Sequence, residues 1–213
     1  MRSHKPYHRM NDNYVKILWT SFFKLAGIKD EDYKKVPIQN DPEHAHVKAI
    51  LFVYSLESFL FEIINKSSRE KDTTVIKTLG PFAVAISNII ENLETKRLDK
   101  MEGPFICYRG LSLNYETIEK WKSKKVLYLD GYNSTSLSRD VSFNFAIDSE
   151  TEDLDQVVLE IHMKNETGKH FVCMNRQEYT CYLSEQEVLL QAGLFGKITN
   201  VRQEEYEYKG KLH

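Results

Sequence analysis

Three short segments of the chain hold residue types that could do chemistry together. The first is Cys107-Tyr108-Arg109-Gly110, where a single arginine stands inside an otherwise apolar run. On a strand such a guanidinium either faces solvent or, held rigidly, grips a phosphate or carboxylate through two parallel hydrogen bonds. Gly110 beside it lets a ligand approach the backbone closely. The second segment is Gly131-Tyr132-Asn133-Ser134-Thr135-Ser136. Ser134 and Ser136 share one side of a strand, where their hydroxyls either line an ordinary surface or orient a carboxylate or a sugar hydroxyl. The third is Ser184-Glu185-Gln186-Glu187-Val188-Leu189-Leu190. On a strand Glu185 and Glu187 share a face with α-carbons about 6.5–7 Å apart, and like charges at that range push one acid toward neutrality. They form either an exposed acidic turn or a pair suited to reaction at a sugar anomeric carbon. In that reaction one carboxylate stabilises an oxocarbenium-like transition state and the other takes a proton from the incoming nucleophile.

Two kinds of element must position these segments. Apolar residues recur at helical spacing from Asn13 to about Ala26, from Pro42 to about Lys66 and from Thr74 to about Leu98. Val47, Ile50, Leu51, Tyr54 and Phe61 mark one stripe, and Ile76, Leu79, Ala83, Ile86, Ile90 and Leu93 another. Asp41-Pro42-Glu43 reads as an N-cap followed by proline at the first helical position. After Gly103-Pro104 the pattern turns to short β-rich runs: Phe105–Leu111, Val126–Leu129, Tyr132–Ser136, Gln156–Met163, Glu187–Gln191 and Phe195–Arg202. Two helices interrupt them, Tyr115–Ser123 and Arg139–Ala146, the latter with Ser138 as cap. The expectation is an α+β fold in which a helical region, 1–103, wraps a β-rich core, 104–213, as one compact unit.

Composition narrows the partners. With 41% hydrophobic residues in 213 the chain has material for a true core, and Lys plus Arg, 29, against Asp plus Glu, 31, leaves a net charge of −2. No large positive field draws in polyanions, so neither nucleic acid nor an anionic membrane is an expected partner. Cys107, Cys173 and Cys181 match neither a disulfide framework nor a zinc cluster, so no metal is expected and a reducing, cytoplasmic setting is. Met1-Arg2-Ser3-His4-Lys5-Pro6 leads into no apolar signal core; delivery into another cell stays open. Phosphate loops, dinucleotide fingerprints, HExxH and nucleophile elbows are absent from the sequence. His44 and His46 point to different helix faces and read as surface residues, and His162 reads as a packed or edge histidine.

Taken in order, arginine on a first strand, Ser-Thr-Ser on a second and Glu-x-Glu before a later one, the segments resemble the R-S-E mono-ADP-ribosyltransferases. The resemblance covers roughly Phe105 to the C-terminus and rests on Tyr108-Arg109-Gly110, Ser134-Thr135-Ser136 with Phe145-Ala146 following, and Glu185-Gln186-Glu187-Val188-Leu189. It implies a split mixed β-sheet core with an N-terminal helical layer and NAD as co-substrate. In that reading Arg109 holds the NAD diphosphate, with Arg139 as a helper, and Gly110 presents backbone groups to the nicotinamide amide. Ser134 positions Glu187, and Thr135 and Ser136 belong to the same cofactor-binding strand. Glu187 stabilises the cation formed as nicotinamide leaves, and Glu185 serves the target guanidinium. Tyr182 packs against the target; Phe143 or Phe145 stacks on the nicotinamide, although Phe145 is assigned by default to packing. Glu185 in the first acidic position implies arginine on a target protein as acceptor, and the chemistry agrees, because a protonated guanidinium needs a base beside it to become a nucleophile. Arginine in the first segment disfavours the family's histidine-type branch. Two other readings remain: an NAD glycohydrolase using the same site, and a non-catalytic interaction module whose helices are the working surface and whose site is vestigial. The role of the long helical region is open.

Overall fold

The computed structural model describes residues 45–56, 59–70, 73–92, 101, 103–148, 153–164, 170–177, 179–204, 207–208 and 211–212. Three helices precede the first strand: α1 (Ala45–Ser55), α2 (Phe59–Glu70) and α3 (Thr73–Asn92). The single helix expected over Pro42–Lys66 is therefore two. The Ser55 hydroxyl donates to the Phe52 carbonyl at 2.8 Å, a side-chain bond that competes with the helical ladder where α1 stops. α1 is also more apolar than a stripe requires. Ala49, Phe52 and Val53 are buried along with Val47, Ile50, Leu51 and Tyr54, as in a helix enclosed on every side. The helix expected over Asn13–Ala26, the Asp41-Pro42-Glu43 cap, His44, the Phe61, Ile76 and His46 side chains and the segment 93–98 lie outside the described residues.

The β-rich half follows as β1 (Phe105–Leu113), α4 (Tyr115–Lys124), β2 (Val126–Leu129), β3 (Asn133–Ser136), α5 (Arg139–Asp148), β4 (Asp155–Met163), β5 (Phe171–Cys173), β6 (Glu187–Leu190), β7 (Leu194–Lys197), β8 (Glu207–Tyr208) and β9 (Lys211–Leu212). α4 is bracketed by its caps: Asn114 accepts from the Thr117 amide, and Lys125, at φ 54°, returns its amide to the Trp121 carbonyl. Ser138 caps α5 as expected, its hydroxyl accepting from the Val141 amide at 3.4 Å. β5 escaped the sequence reading because three apolar residues are too few to show a period of two. The strand expected over Phe195–Arg202 stops at Lys197, since its partner β2 begins only at Val126, paired with Lys197.

Five strands form one sheet in the order β4-β1-β3-β6-β5, with β2-β7 and β8-β9 as separate pairs. Every pairing among the described residues is antiparallel. The mixed sheet expected from the resemblance is thus corrected in this respect: no helix here acts as the crossover that a parallel pair needs. One face of the sheet packs on the helices. Leu189, Val172 and Met174 share a core with Val47, Leu51, Phe52, Tyr54, Ile64, Ile86 and Ile90. The other face buries Cys107, Phe171, Cys173, Val188 and Leu190 against Leu129 and Leu194 of the smaller pair. β6 is consequently buried on both sides, which its unbroken Val188-Leu189-Leu190 run reflects. No helix among the described residues is long and apolar enough to cross a membrane.

β1 behaves differently along its two edges. Against β4 it pairs over its whole length, Phe105 with Met163 through Leu113 with Asp155. Against β3 the register holds Tyr108 opposite Ser136 and goes no further. The strands part just where Arg109 and Gly110 begin. Here α5 presses onto β1, and the position a Cβ would take on Gly110 is 1.9 Å from the Ser142 carbonyl oxygen and 2.7 Å from the Ala146 amide nitrogen. This helix approaches the Gly110 backbone so closely that it gives a packing reason for glycine at that position. The clash is with backbone, which cannot swing aside. Gly110→Ala is expected to lower the free energy of unfolding by about 2 kcal/mol or more, read by urea titration of the purified variant.

Candidate active site

The third segment and the second meet through the β3–β6 ladder. Asn133 pairs with Leu190, Ser134 with Leu189, Thr135 with Val188 and Ser136 with Glu187. Alternation then sorts the side chains. Glu187 shares the face of Leu189, the side covered by α1–α3, and is only 6% exposed. Ser134 lies on that face too and its side chain hydrogen-bonds the Glu187 carboxyl. Thr135 does not join them. It lies on the opposite face, where its hydroxyl donates to the Val188 carbonyl at 2.6 Å and its side chain meets the Cys107 thiol, itself pushed up by burial. Ser136 donates to the Glu185 carbonyl at 2.6 Å and accepts from the Ser138 amide at 2.9 Å. Thr135 and Ser136 thus tie the strand to its surroundings, and of the three hydroxyls Ser134 is the one on the carboxyl.

Arg109 reaches across the gap between β1 and β3, its Nη1 donating to the Ser134 carbonyl at 2.7 Å. The first segment is therefore joined to the other two through Ser134. Burial pushes the Glu187 carboxyl up to about 7, with the neighbouring Glu185 charge adding to the rise; the Ser134 hydrogen bond and the Arg109 guanidinium oppose it. Near neutral pH this acid stands close to half protonated.

Glu185 stands just before the strand, which begins at Glu187 as expected, so the two acids do not share a strand face. It ends a 3₁₀ turn, Leu183–Glu185, and Gln186 after it adopts φ 47° with its amide returned to the Leu183 carbonyl. This left-handed residue turns the chain between the two acids. Glu185 stays half-buried while Glu187 is enclosed. Tyr182 opens the same turn, half-buried, with its amide held by the Thr180 hydroxyl at 3.0 Å. On α5 Phe143 is half-buried beneath the Arg139 guanidinium, 5.7 Å from its ring centre. Phe145, assigned to packing, is instead 49% exposed, because Ala146 takes the face turned to β1. Arg139 forms an ion pair with Glu204, which Arg202 also engages at 2.6 Å, so it belongs to a surface network. His162 pairs with Glu160 at 2.8 Å on the edge strand β4.

Sequence reasoning placed Tyr54 in an apolar stripe, whereas its phenol lies within electrostatic reach of both Glu187 and Arg109. Nothing in the spacing of α1 distinguishes it from a purely apolar core position.

No family model matches the sequence, and no curated protein sequence matches it. Solved structures do. The agmatine complex of Vis, an ADP-ribosyltransferase from Vibrio splendidus, superposes with a TM-score of 0.54 at 14% identity, over 92% of this chain and 82% of that one. The eukaryotic mono-ADP-ribosyltransferase ART2.2 superposes with a TM-score of 0.53 at 15% identity, over 91% and 74%. A variant of ART2.2 in complex with NADH gives 0.52 at 14% identity, over 90% and 74%. The fold is that of the ADP-ribosyltransferases. At this identity the likeness concerns backbone architecture. What the ADP-ribosyltransferase fold holds in this chain is the arrangement just described: a buried carboxyl, a hydroxyl upon it, a guanidinium behind that hydroxyl's own carbonyl, and a second carboxyl on the adjoining turn.

Burying an acid has a consequence for stability. Between its ordinary value of 4.5 and about 7, Glu187 binds more protons in the folded than in the unfolded chain, so its contribution falls as pH rises through that window and is most unfavourable above it. Glu187→Gln removes the titration while retaining the shape. At pH 8 the variant is expected to unfold at a higher temperature than the parent, by an equivalent of about 1–3 kcal/mol, with the gap closing toward pH 5. Calorimetry at the two pH values checks it.

Proposed function

We propose that this protein is a mono-ADP-ribosyltransferase that cleaves the nicotinamide–ribose bond of NAD and transfers ADP-ribose to an arginine side chain of a target protein. One observation carries the reading. Glu187 is buried, raised to about 7, bound by Ser134 and flanked by Glu185 and Arg109. Such a carboxyl is costly to bury and needs a use for its charge.

The residues fit NAD as co-substrate. Arg109, fixed by the Ser134 carbonyl, supplies a planar cation of the kind that holds a diphosphate. Phe143 on α5 offers a ring near the same end of the strands. Glu187, when ionised, stabilises the positive charge that develops at the ribose carbon as the bond to nicotinamide breaks and the bonding electrons leave with the base. Ser134 holds that carboxylate in place. Glu185 accepts the proton that the guanidinium must lose as its nitrogen forms the new bond to the sugar. The two acids differ in environment as their roles require, Glu187 enclosed and Glu185 half-buried on a turn beside Tyr182. The agmatine complex of Vis supports a guanidine as acceptor, since agmatine carries that group on a small amine.

The test uses labelled NAD with agmatine or a mixed lysate. Glu187→Gln is expected to lose transfer and NAD hydrolysis together, by about 100-fold or more, while Glu185→Gln loses transfer and keeps residual hydrolysis. Hydrolysis with no labelled acceptor in the parent protein points to a glycohydrolase instead. Absence of NAD turnover rejects both enzymatic readings.

Because Glu187 acts as the anion, turnover by the parent protein is expected to rise with pH along an acid limb centred near 7. A rate profile between pH 5 and 9 reads it. An acid limb centred near 4.5 argues against Glu187 as the group that titrates.

A further inference from the structure

The small β2–β7 sheet is used on one face only. Leu129 and Leu194, opposite one another in the register, pack against the core that holds Cys107, Phe171, Cys173, Val188 and Leu190. Alternation turns their neighbours outward. Tyr128 stands opposite Phe195 and Val126 opposite Lys197, so these four side chains share the face away from the core. That face has no cover among the described residues: Phe195 is 78% exposed, Tyr128 54% and Val126 47%, and Lys197 is exposed with them. Phe195 is the most exposed large apolar side chain of all those described. Beside it, a Cβ on Gly196 would meet nothing within 4 Å beyond its chain neighbours. Backbone bonds close the ribbon at both ends, from the Gly193 amide to the Leu129 carbonyl at 2.8 Å and from the Ile198 amide to the Lys125 carbonyl at 2.9 Å. The rings cannot turn inward without taking Leu129 and Leu194 out of the core.

Lysines gather at one end of the same face. The left-handed Lys125 closes α4 and leads straight into the ribbon, which sets the exposed Lys124 and Lys125 directly before Val126, with Lys197 across from it. None of the three enters an ion pair among the described residues. Of the acids on this stretch of chain, Glu116 lies in the first turn of α4, Glu119 is held by Lys122 at 2.7 Å, and Asp130 follows the other end of β2. The net charge of −2 describes the long-range field. Within a Debye length, ~8 Å at physiological salt, the local cluster decides what is attracted.

We propose that the outward face of the β2–β7 ribbon attaches the protein to an anionic lipid surface, with Phe195, Tyr128 and Val126 entering the headgroup boundary and Lys124, Lys125 and Lys197 engaging the lipid phosphates. Charge complementarity selects an anionic occupant, and the projecting rings select a lipid one. A ring that stands clear of the surface needs a matching pocket in a protein partner, whereas a bilayer receives it without one. Tyrosine suits that boundary because its ring is apolar and its tip polar. Lysine lays its methylene stem along apolar surface and keeps its charge at the phosphates. The two signals act together, as reversible attachment from the interface plane requires, and no segment has to span the bilayer. The proposal differs from the expectation drawn from net charge, and it does not depend on the function proposed for Glu187.

Flotation of the full chain with vesicles tests it. The parent protein is expected to float with mixed phosphatidylserine and phosphatidylcholine vesicles at physiological salt, to bind pure phosphatidylcholine far more weakly, and to be released from the mixed vesicles as salt rises. Phe195→Ser removes the leading ring and is expected to weaken binding by about tenfold or more, with Tm unchanged because that ring packs on nothing. Lys124→Gln and Lys197→Gln are each expected to weaken it by about fivefold. Tyr115→Ser is the control: this side chain is 68% exposed at the opposite end of α4 from the lysines, and its loss is expected to leave binding in place. A parent that stays with neither vesicle overturns the proposal, even where it binds a single-stranded oligonucleotide or an acidic protein instead. Equal binding to both vesicles overturns it too, as does a loss in Tyr115→Ser that matches Phe195→Ser. Should Phe195→Ser fail to fold, the lysine variants decide, and unchanged vesicle binding in both of them is equally fatal. NAD turnover plays no part in the readout, so the outcome stands apart from the fate of the function proposed above.

Discussion

An acid buried on the helical face of the sheet, Glu187, is the constraint to which the surrounding structure answers. A carboxyl taken out of water is tolerated only when hydrogen bonds and opposite charge offset the loss of hydration, or when it gives up its own charge. Here both happen in part. Ser134 bonds the carboxyl, and Arg109 attends it from the far side of Ser134, yet burial still leaves it near neutrality at physiological pH. The ladder that sets Ser136 opposite Glu187 is reinforced by side chains: Thr135 and Ser136 bond carbonyls of the adjoining strand and turn. Ser134 and Glu187 thus stand on paired strands, of which β6 is buried on both sides.

The gap between β1 and β3 is the second requirement. If β1 had continued to pair with β3 beyond Tyr108, the Ser134 carbonyl would be spent in the sheet ladder. Because the strands part, that carbonyl accepts from Arg109 instead. Gly110 belongs to the same device, since α5 can lie against β1 only where no Cβ intervenes. The glycine next to the arginine thus brings the helix that carries Phe143 up to the strand.

The two acids divide along the same lines. Glu187 belongs to a strand and is enclosed, whereas Glu185 belongs to a turn released by the left-handed Gln186 and stays half-buried. A spacing of two residues on a continuous strand would have placed them in like environments. The turn gives Glu185 access to solvent and the strand gives Glu187 enclosure, which is how carboxyls of one type come to different environments.

Much of this was legible in the residues. Arg109, Ser134, Glu185 and Glu187 could be singled out because arginine in an apolar run, clustered hydroxyls and paired acids are local departures from pattern, and pattern is what a sequence displays. Most strands and helices were legible for the same reason, Val126–Leu129 to the residue. β5 was too short to have a period, and the break after Ser55 leaves no mark on the apolar stripe. Phe145 and Thr135 were misjudged because the direction a side chain takes depends on what packs against its element. The chain by itself therefore determined which chemical groups were available and in what order. Tertiary structure alone decided which of them meet: that Thr135 faces away from Glu187, that Arg139 is engaged with Glu204, and that Tyr54, indistinguishable in its helix from any core residue, lies within electrostatic reach of the buried acid. The physical reason is that burial and electrostatic environment belong to the space between elements, and no single segment contains that space.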